Sequence, residues 1–249
     1  MKHDTKTTRF RWSNAGADMR RSRPIAAYVG ANGSGKSLAM IHDTRESLEA
    51  GRTVLSTVRL IDPATGLPWA NYVPLRSWQQ LLDASHCDVL FDEIVGIANS
   101  RTGQSLDPRV QLMLNQLRRR DICLRWTAPN FSRADAIIRE VTQIVTVCRG
   151  YLAKDDPSSN WPRNRLFRWT TYAAEDMTRM SDRSEKTLKG LKNAWYWRPN
   201  SWDESAYNTD DAVDVVDSGE GVCPVCGGMR PRRRERPCSC HPAVANERN

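Results

Sequence analysis

No run of about 18 apolar residues occurs in this 249-residue chain, so a membrane-crossing helix is not expected. The first 23 residues contain bases but no apolar core, which argues against a secretory leader. Histidine is scarce, at four residues, and no serine, histidine and aspartate group into a nucleophilic triad. No internal repeat is present, and no Asn-Lys-x-Asp motif of the kind that reads guanine is found. These absences leave a chain of ordinary length for one domain with a small appendage. Its 39% hydrophobic and 27% charged residues fit a soluble profile, with the cytoplasm as the default location.

Charge is unevenly spread. The net charge is +8, yet residues 203–220 hold seven acids and no base, so the remainder carries +15. Arginine greatly outnumbers lysine. A chain of this charge commonly meets a polyanion, most often nucleic acid. The seven cysteines fall into two groups. Cys87, Cys123 and Cys148 lie in apolar runs and read as core residues. Cys223, Cys226, Cys238 and Cys240 crowd near the C-terminus in paired spacings, which in a cytosolic chain read as a metal site before disulfides.

The pattern divides the chain into a basic arm (1–24), a main domain (25–202), an acidic linker (203–222) and a cysteine tail (223–249). Within the main domain, nearly continuous apolar runs at 25–29, 53–58, 87–91, 122–128 and 142–148 suit strands covered on both faces of a parallel sheet. Between them, 37–50 has a helical stripe of Met40, Ile41, Thr44, Ser47 and Leu48, with Gly51 as its stop. Ser77 and Gln80 form a capping box, and Asp107-Pro108 opens a helix expected to run to Arg120. Beyond 149, a strand is expected over 166–172 and a helix over 185–195. Trp161, Trp169, Trp195, Trp197 and Trp202 fall in this region among Arg and Lys. They could stack on unpaired bases, but closing a small core or a subunit interface is the favoured expectation.

Gly30-Ala-Asn32-Gly33-Ser34-Gly35-Lys36-Ser37 matches G-x-x-x-x-G-K-S in full, after an apolar strand and before an amphipathic helix. Glycines let backbone N–H groups turn around a polyphosphate, and the helix N-terminus aims its dipole at the same anion. Lys36 would place its charge on the β- and γ-phosphates, and Ser37 would offer a hydroxyl to Mg²⁺. Gly30, Asn32, Gly33, Ser34, Gly35, Lys36, Ser37 and Leu38 are the candidate nucleotide-binding residues. The second motif is the strand at 87–91 ending in Asp92-Glu93, a Walker B pattern. Asp92 would hold Mg²⁺, and Glu93 would polarise the attacking water. A carboxylate next to the metal aspartate points to hydrolysis rather than transfer to a small molecule. The strand expected at 122–128 ends near Thr127 and Asn130, either of which could sense the γ-phosphate; Asn130 could equally cap a helix.

The tail reads Cys223-Pro-Val-Cys226-Gly-Gly, then Cys238-Ser-Cys240-His241. Four thiolates, or three with His241, suit tetrahedral Zn²⁺, and so small a module would depend on its metal to fold. Arg230, Arg232, Arg233, Arg234 and Arg236 lie between the pairs and suit a DNA backbone.

Taken together, 30–37, Val89–Glu93 followed by Ile97–Arg101, and Leu117–Asp121 leading to Trp126–Asn130 resemble the FtsK–HerA superfamily of P-loop motor ATPases. The likeness is nearest to Zot-like phage ATPase domains and to DNA-packaging ATPases of membrane-containing, tectivirus-like phages. It implies an α/β fold of the ASCE, RecA-like type, with a strand inserted between the two motif strands. It further implies ATP, a homo-hexameric ring, and double-stranded DNA as the partner in genome packaging. A portal, vertex or membrane protein of a phage is a further implied partner, and the host cytoplasm or the virion the implied location. A neighbour's arginine would complete each site; Arg119, Arg118, Arg120, Arg101 and Arg133 are candidates. Zot-like proteins usually continue into a membrane span, which this sequence lacks, so export with a separate membrane partner is the alternative. The family's sensor is commonly Gln, where Asn130 stands here.

Overall fold

The computed structural model describes residues 23–94, 108–157, 160–178 and 190–208. Its strands are β1 (Ile25–Val29), β2 (Thr53–Ser56), β3 (Arg59–Leu60), β4 (Tyr72–Pro74), β5 (Cys87–Phe91), β6 (Ile122–Ala128), β7 (Ile144–Tyr151), β8 (Leu166–Ala173), β9 (Lys192–Trp197) and β10 (Tyr207–Asn208). Its α-helices are α1 (Lys36–Glu49), α2 (Trp78–Asp83), α3 (Pro108–Leu114), α4 (Ala136–Val141) and α5 (Ala174–Thr178). None of the described helices is long and apolar enough to cross a membrane.

Eight strands form one sheet in the order β4-β2-β5-β6-β1-β7-β8-β9. The six from β4 to β7 are parallel, and β8 and β9 extend the sheet antiparallel. Every residue of β1, β5 and β6 is buried, as the near-continuous apolar runs require of strands covered on both faces. Leu38, Met40, Ile41 and Leu48 of α1 pack with Tyr28, Leu90, Trp169 and Tyr196 on one face. Residues of α2 to α5, among them Leu81, Met113, Ile138 and Ala174, cover the other with Phe91, Leu124 and Trp126. The mainly parallel α/β sheet fits the expected fold class, and β6 lies between β1 and β5. Cys87, Cys123 and Cys148 are buried free thiols on three of these strands.

Local signals explain the elements. Ser77 and Gln80 make both bonds of the capping box at α2. At the end of α1, Gly51 takes φ 73° and donates its N–H to Leu48 O at 3.0 Å, closing the helix.

Three expectations need correction. The helix from Pro108 ends at Leu114, and residues 115–121 turn tightly into β6. Arg120 holds the reversal by donating to Leu82 O at the end of α2, while Asp121 takes the left-handed φ of 52°. The helix expected over 185–195 is replaced, from Lys192 onward, by β9, whose aromatic, alternating Asn-Ala-Trp-Tyr-Trp pairs with β8. Residues 203–208, assigned to the acidic linker, belong to the folded unit. Asp203 is 1% exposed, and its Oδ2 meets His42 Nδ1 of α1 at 2.6 Å and accepts from Tyr196 Oη.

Candidate active site

The two motifs meet at the C-terminal ends of the parallel strands. The loop 30–37 leaves β1 and enters α1 at Lys36, with Gly35 as N-cap at φ 82°. Asp92 and Glu93 follow β5 directly, and Thr127 is the penultimate residue of β6. Because β6 lies between β1 and β5, Thr127 stands between the loop and the acidic pair.

Ser37 Oγ donates to Asp92, with Oδ1 at 2.8 Å and Oδ2 at 2.9 Å. Thr127 Oγ1 donates to Asp92 Oδ1 at 2.7 Å and accepts the Glu93 N–H at 2.8 Å. The Asp92 N–H donates to Thr57 Oγ1 at 2.9 Å. Asp92 is thus fixed by three hydroxyl groups, and among the described residues its carboxylate bonds only to hydroxyls. A partly buried carboxylate answered by hydroxyls rather than by a cation is a fitting ligand for a hard divalent ion, with Ser37 beside it. Glu93 is exposed and takes the left-handed φ of 53°, with its amide held by Thr127. Lys36 is nearly buried and donates from Nζ to Ala31 O at 3.2 Å, across its own loop.

Strand β7 and the antiparallel extension support the loop from its other side. A Cβ on Gly30 would lie 2.4 Å from Cys148 O of β7, and one on Gly35 would lie 2.5 Å from Phe167 of β8. Asn164, just before β8, donates Nδ2 to Gly33 O at 2.9 Å. Burial, assisted by Asp43 and opposed by the nearby Lys36 ammonium, pushes the Cys148 thiol well above its ordinary range, so it stays protonated. Tyr207 of β10 is raised to about 12, chiefly by burial; the Arg198 charge opposes the shift and the Asp92 charge adds to it.

The order β2-β5-β6-β1, with a glycine-rich loop after β1 and a hydroxyl-held aspartate after β5, fits a P-loop NTPase fold. Neither a protein-family model nor a curated protein sequence matches the chain. Among solved structures it is similar to the genome-packaging NTPase B204 from Sulfolobus turreted icosahedral virus 2 in complex with ATP-gammaS, at 13% identity and a TM-score of 0.43. That match covers 64% of this chain and 96% of the other. It is also similar to the N-terminal domain of zonular occludens toxin from Neisseria meningitidis, at 15% identity and a TM-score of 0.47, over 74% of this chain and 98% of the other.

Other candidates stand elsewhere. Asn130 Oδ1 accepts from the Ser132 N–H at 3.0 Å and Ser132 Oγ at 3.1 Å, capping a 3₁₀ turn over Phe131–Arg133. Of the two sensor candidates it is Thr127 that touches Asp92. Arg118, Arg119 and Arg120 precede β6, at the end of the sheet opposite the loop, whereas Arg133 follows β6 on the loop's side. Arg101, Cys223, Cys226, Cys238, Cys240 and His241 lie outside the described residues. Thr57 and Asn164 were missed from sequence. Each reaches the site from a segment distant in the chain, and only the strand order brings them there.

Proposed function

We propose that the chain hydrolyses ATP and couples hydrolysis to moving or packaging double-stranded DNA, as a ring of identical subunits. The observation carrying the reading is the bonding of Ser37 and Thr127 to Asp92 beside the phosphate loop. The N–H groups of residues 30–37 and the start of α1 bind the polyphosphate, and Leu38 backs the loop from the core. Lys36 exchanges its bond to Ala31 O for the β- and γ-phosphates. Ser37 and Asp92 would hold Mg²⁺, which supplies charge neutralisation for those phosphates. Glu93 takes the proton of the attacking water. Thr127 holds the Glu93 amide and so ties general base to metal ligand. The inserted β6 supports the ASCE class, in which such a glutamate drives hydrolysis.

A neighbouring subunit of a hexamer would supply the arginine that stabilises transition-state charge, with Arg119 and Arg133 as the candidates on opposite ends of the sheet. Cys223, Cys226, Cys238 and Cys240 would hold Zn²⁺ in a tail presenting arginines to DNA or to a viral portal.

The test is steady-state ATP hydrolysis with and without duplex DNA, with Glu93→Gln as control. Hydrolysis stimulated by duplex and lost in the variant supports a DNA motor. Hydrolysis indifferent to DNA favours a role in phage assembly or export beside a membrane partner. Absence of Mg²⁺-dependent hydrolysis overturns the enzyme reading.

A further inference from the structure

Strands β7, β8 and β9 together have two unlike faces. On one, Cys148, Phe167, Trp169 and Tyr196 pack against α1. The other carries Arg149 and Tyr151 of β7, Arg168 of β8, and Trp195 and Trp197 of β9. The register sets Arg149 opposite Arg168 and Arg168 opposite Trp195. Trp195 is 55% exposed and Trp197 46% exposed, unusual for indoles on ordered strands. Arg168 lies over the Trp195 ring at 5.7 Å and Arg165 over the Trp197 ring at 4.8 Å. Tyr151 stands 5.6 Å from Trp195. No aspartate or glutamate occurs on β7, β8 or β9.

We propose that this face binds single-stranded nucleic acid, with bases stacked on Trp195 and Trp197 and phosphates met by Arg149, Arg165 and Arg168. Exposed flat rings interleaved with guanidinium groups combine the two terms such binding needs, stacking and a cationic track. Trp195 and Trp197 lie two residues apart on one side of a strand, about 7 Å apart along it, which suits successive bases. A duplex hides its base faces and would use the arginines alone, leaving both indoles in water. A second copy meeting this face symmetrically would set arginines against arginines, which costs affinity. The proposal does not depend on hydrolysis, because binding is read without nucleotide.

The experiment is fluorescence anisotropy of a labelled oligo(dT) of about 16 nucleotides with the full chain, beside a duplex of equal length and with intrinsic tryptophan emission followed in parallel. Single strands are expected to bind more tightly than duplex and to quench tryptophan emission. Replacing both Trp195 and Trp197 by Ala is expected to weaken oligo(dT) binding about a hundredfold, at roughly tenfold per stacked base. Trp195→Phe and Trp197→Phe keep a stacking ring and should retain affinity within about threefold, which separates stacking from misfolding. Arg168→Ala should reduce the slope of log affinity against log salt by about 0.7. Unchanged oligo(dT) affinity in the alanine variants overturns the proposal. So does equal loss for duplex and single strand, or the finding that the substitutions act by dissociating an oligomer.

Discussion

Asp88 on β5 and Asp92 just past its end, four residues apart, meet the same neighbouring elements and acquire opposite characters. Asp92 accepts from Ser37 of α1 and Thr127 of β6. Asp88 accepts from Ser47 of α1 at 2.7 Å and from Arg125 of β6 at 2.7 Å, and also from Arg52 Nε at 2.8 Å. Arg52 bridges onward to Asp121 at 2.9 Å. The exchange of Thr127 for Arg125, two residues back on one strand, separates a carboxylate answered by cations within the fold from one that, among the described residues, meets only hydroxyls. Burial would raise the Asp88 pKa, but the Arg125 charge and the bonds from Ser47, Arg125 and Arg52 outweigh it and hold it near 2. One end of the sheet is closed by its own charges, and at the other the carboxylate meets hydroxyls alone, as the proposed Mg²⁺ role requires.

Substitution should separate the two most sharply in stability. Asp88→Asn leaves Arg125 buried without its counter-charge, and chemical denaturation should show a loss of about 3–5 kcal/mol. Asp92→Asn should leave the apo protein within about 0.5 kcal/mol of the parent. It should, however, abolish the stabilisation by Mg²⁺ with ATP, which for the parent is about 2.7 kcal/mol at a hundred times the dissociation constant. A thermal shift of equal size in the Asp92 variant would contradict its assignment as metal ligand.

Acid should act through Asp88. Its folded-state pKa lies below the ordinary value of 3.8, so its contribution is present above about pH 4 and is lost as pH falls toward 2. The loss should be about 2 kcal/mol, absent from Asp88→Asn when stability is followed across that window.

The smallest effects belong to the supports of the site. Thr127→Val removes two hydrogen bonds at nearly constant shape and should cost about 1–2 kcal/mol, with kcat falling more than nucleotide affinity. Asn164→Ala frees the Gly33 carbonyl and should raise the KM for ATP about fivefold, with kcat little changed.

Much of this was legible in the residues. The bounds of β1, β5 and β6 follow from unbroken apolar runs, because strands buried on both faces need them. The glycine-rich loop 30–37 and Asp92-Glu93 are local motifs that can be picked out before the fold is known. Arg125 was hidden inside an apolar run, since its partner Asp88 lies on another strand and has no sequence signature of its own. The sequence around β9 suggests a helix because its aromatic alternation is short and follows a stretch rich in Glu and Lys. The identity of the exposed tryptophans was likewise invisible, because which side of a strand faces the core depends on pairing.

The paired serines and aspartates also fix a length. Ser37 and Ser47 are ten residues apart on a helix, about 15 Å, while Asp88 on β5 and Asp92 just past its end are four residues apart along extended chain, about 13 Å. Helix and strand therefore gauge the same span, one in steps of 1.5 Å and the other in steps of 3.3 Å. Inserting a single residue between the fastenings would swing the helix by about 100° or turn the strand over. Either change undoes one fastening while the other holds, so this stretch should tolerate exchanges of side chain far better than changes of length.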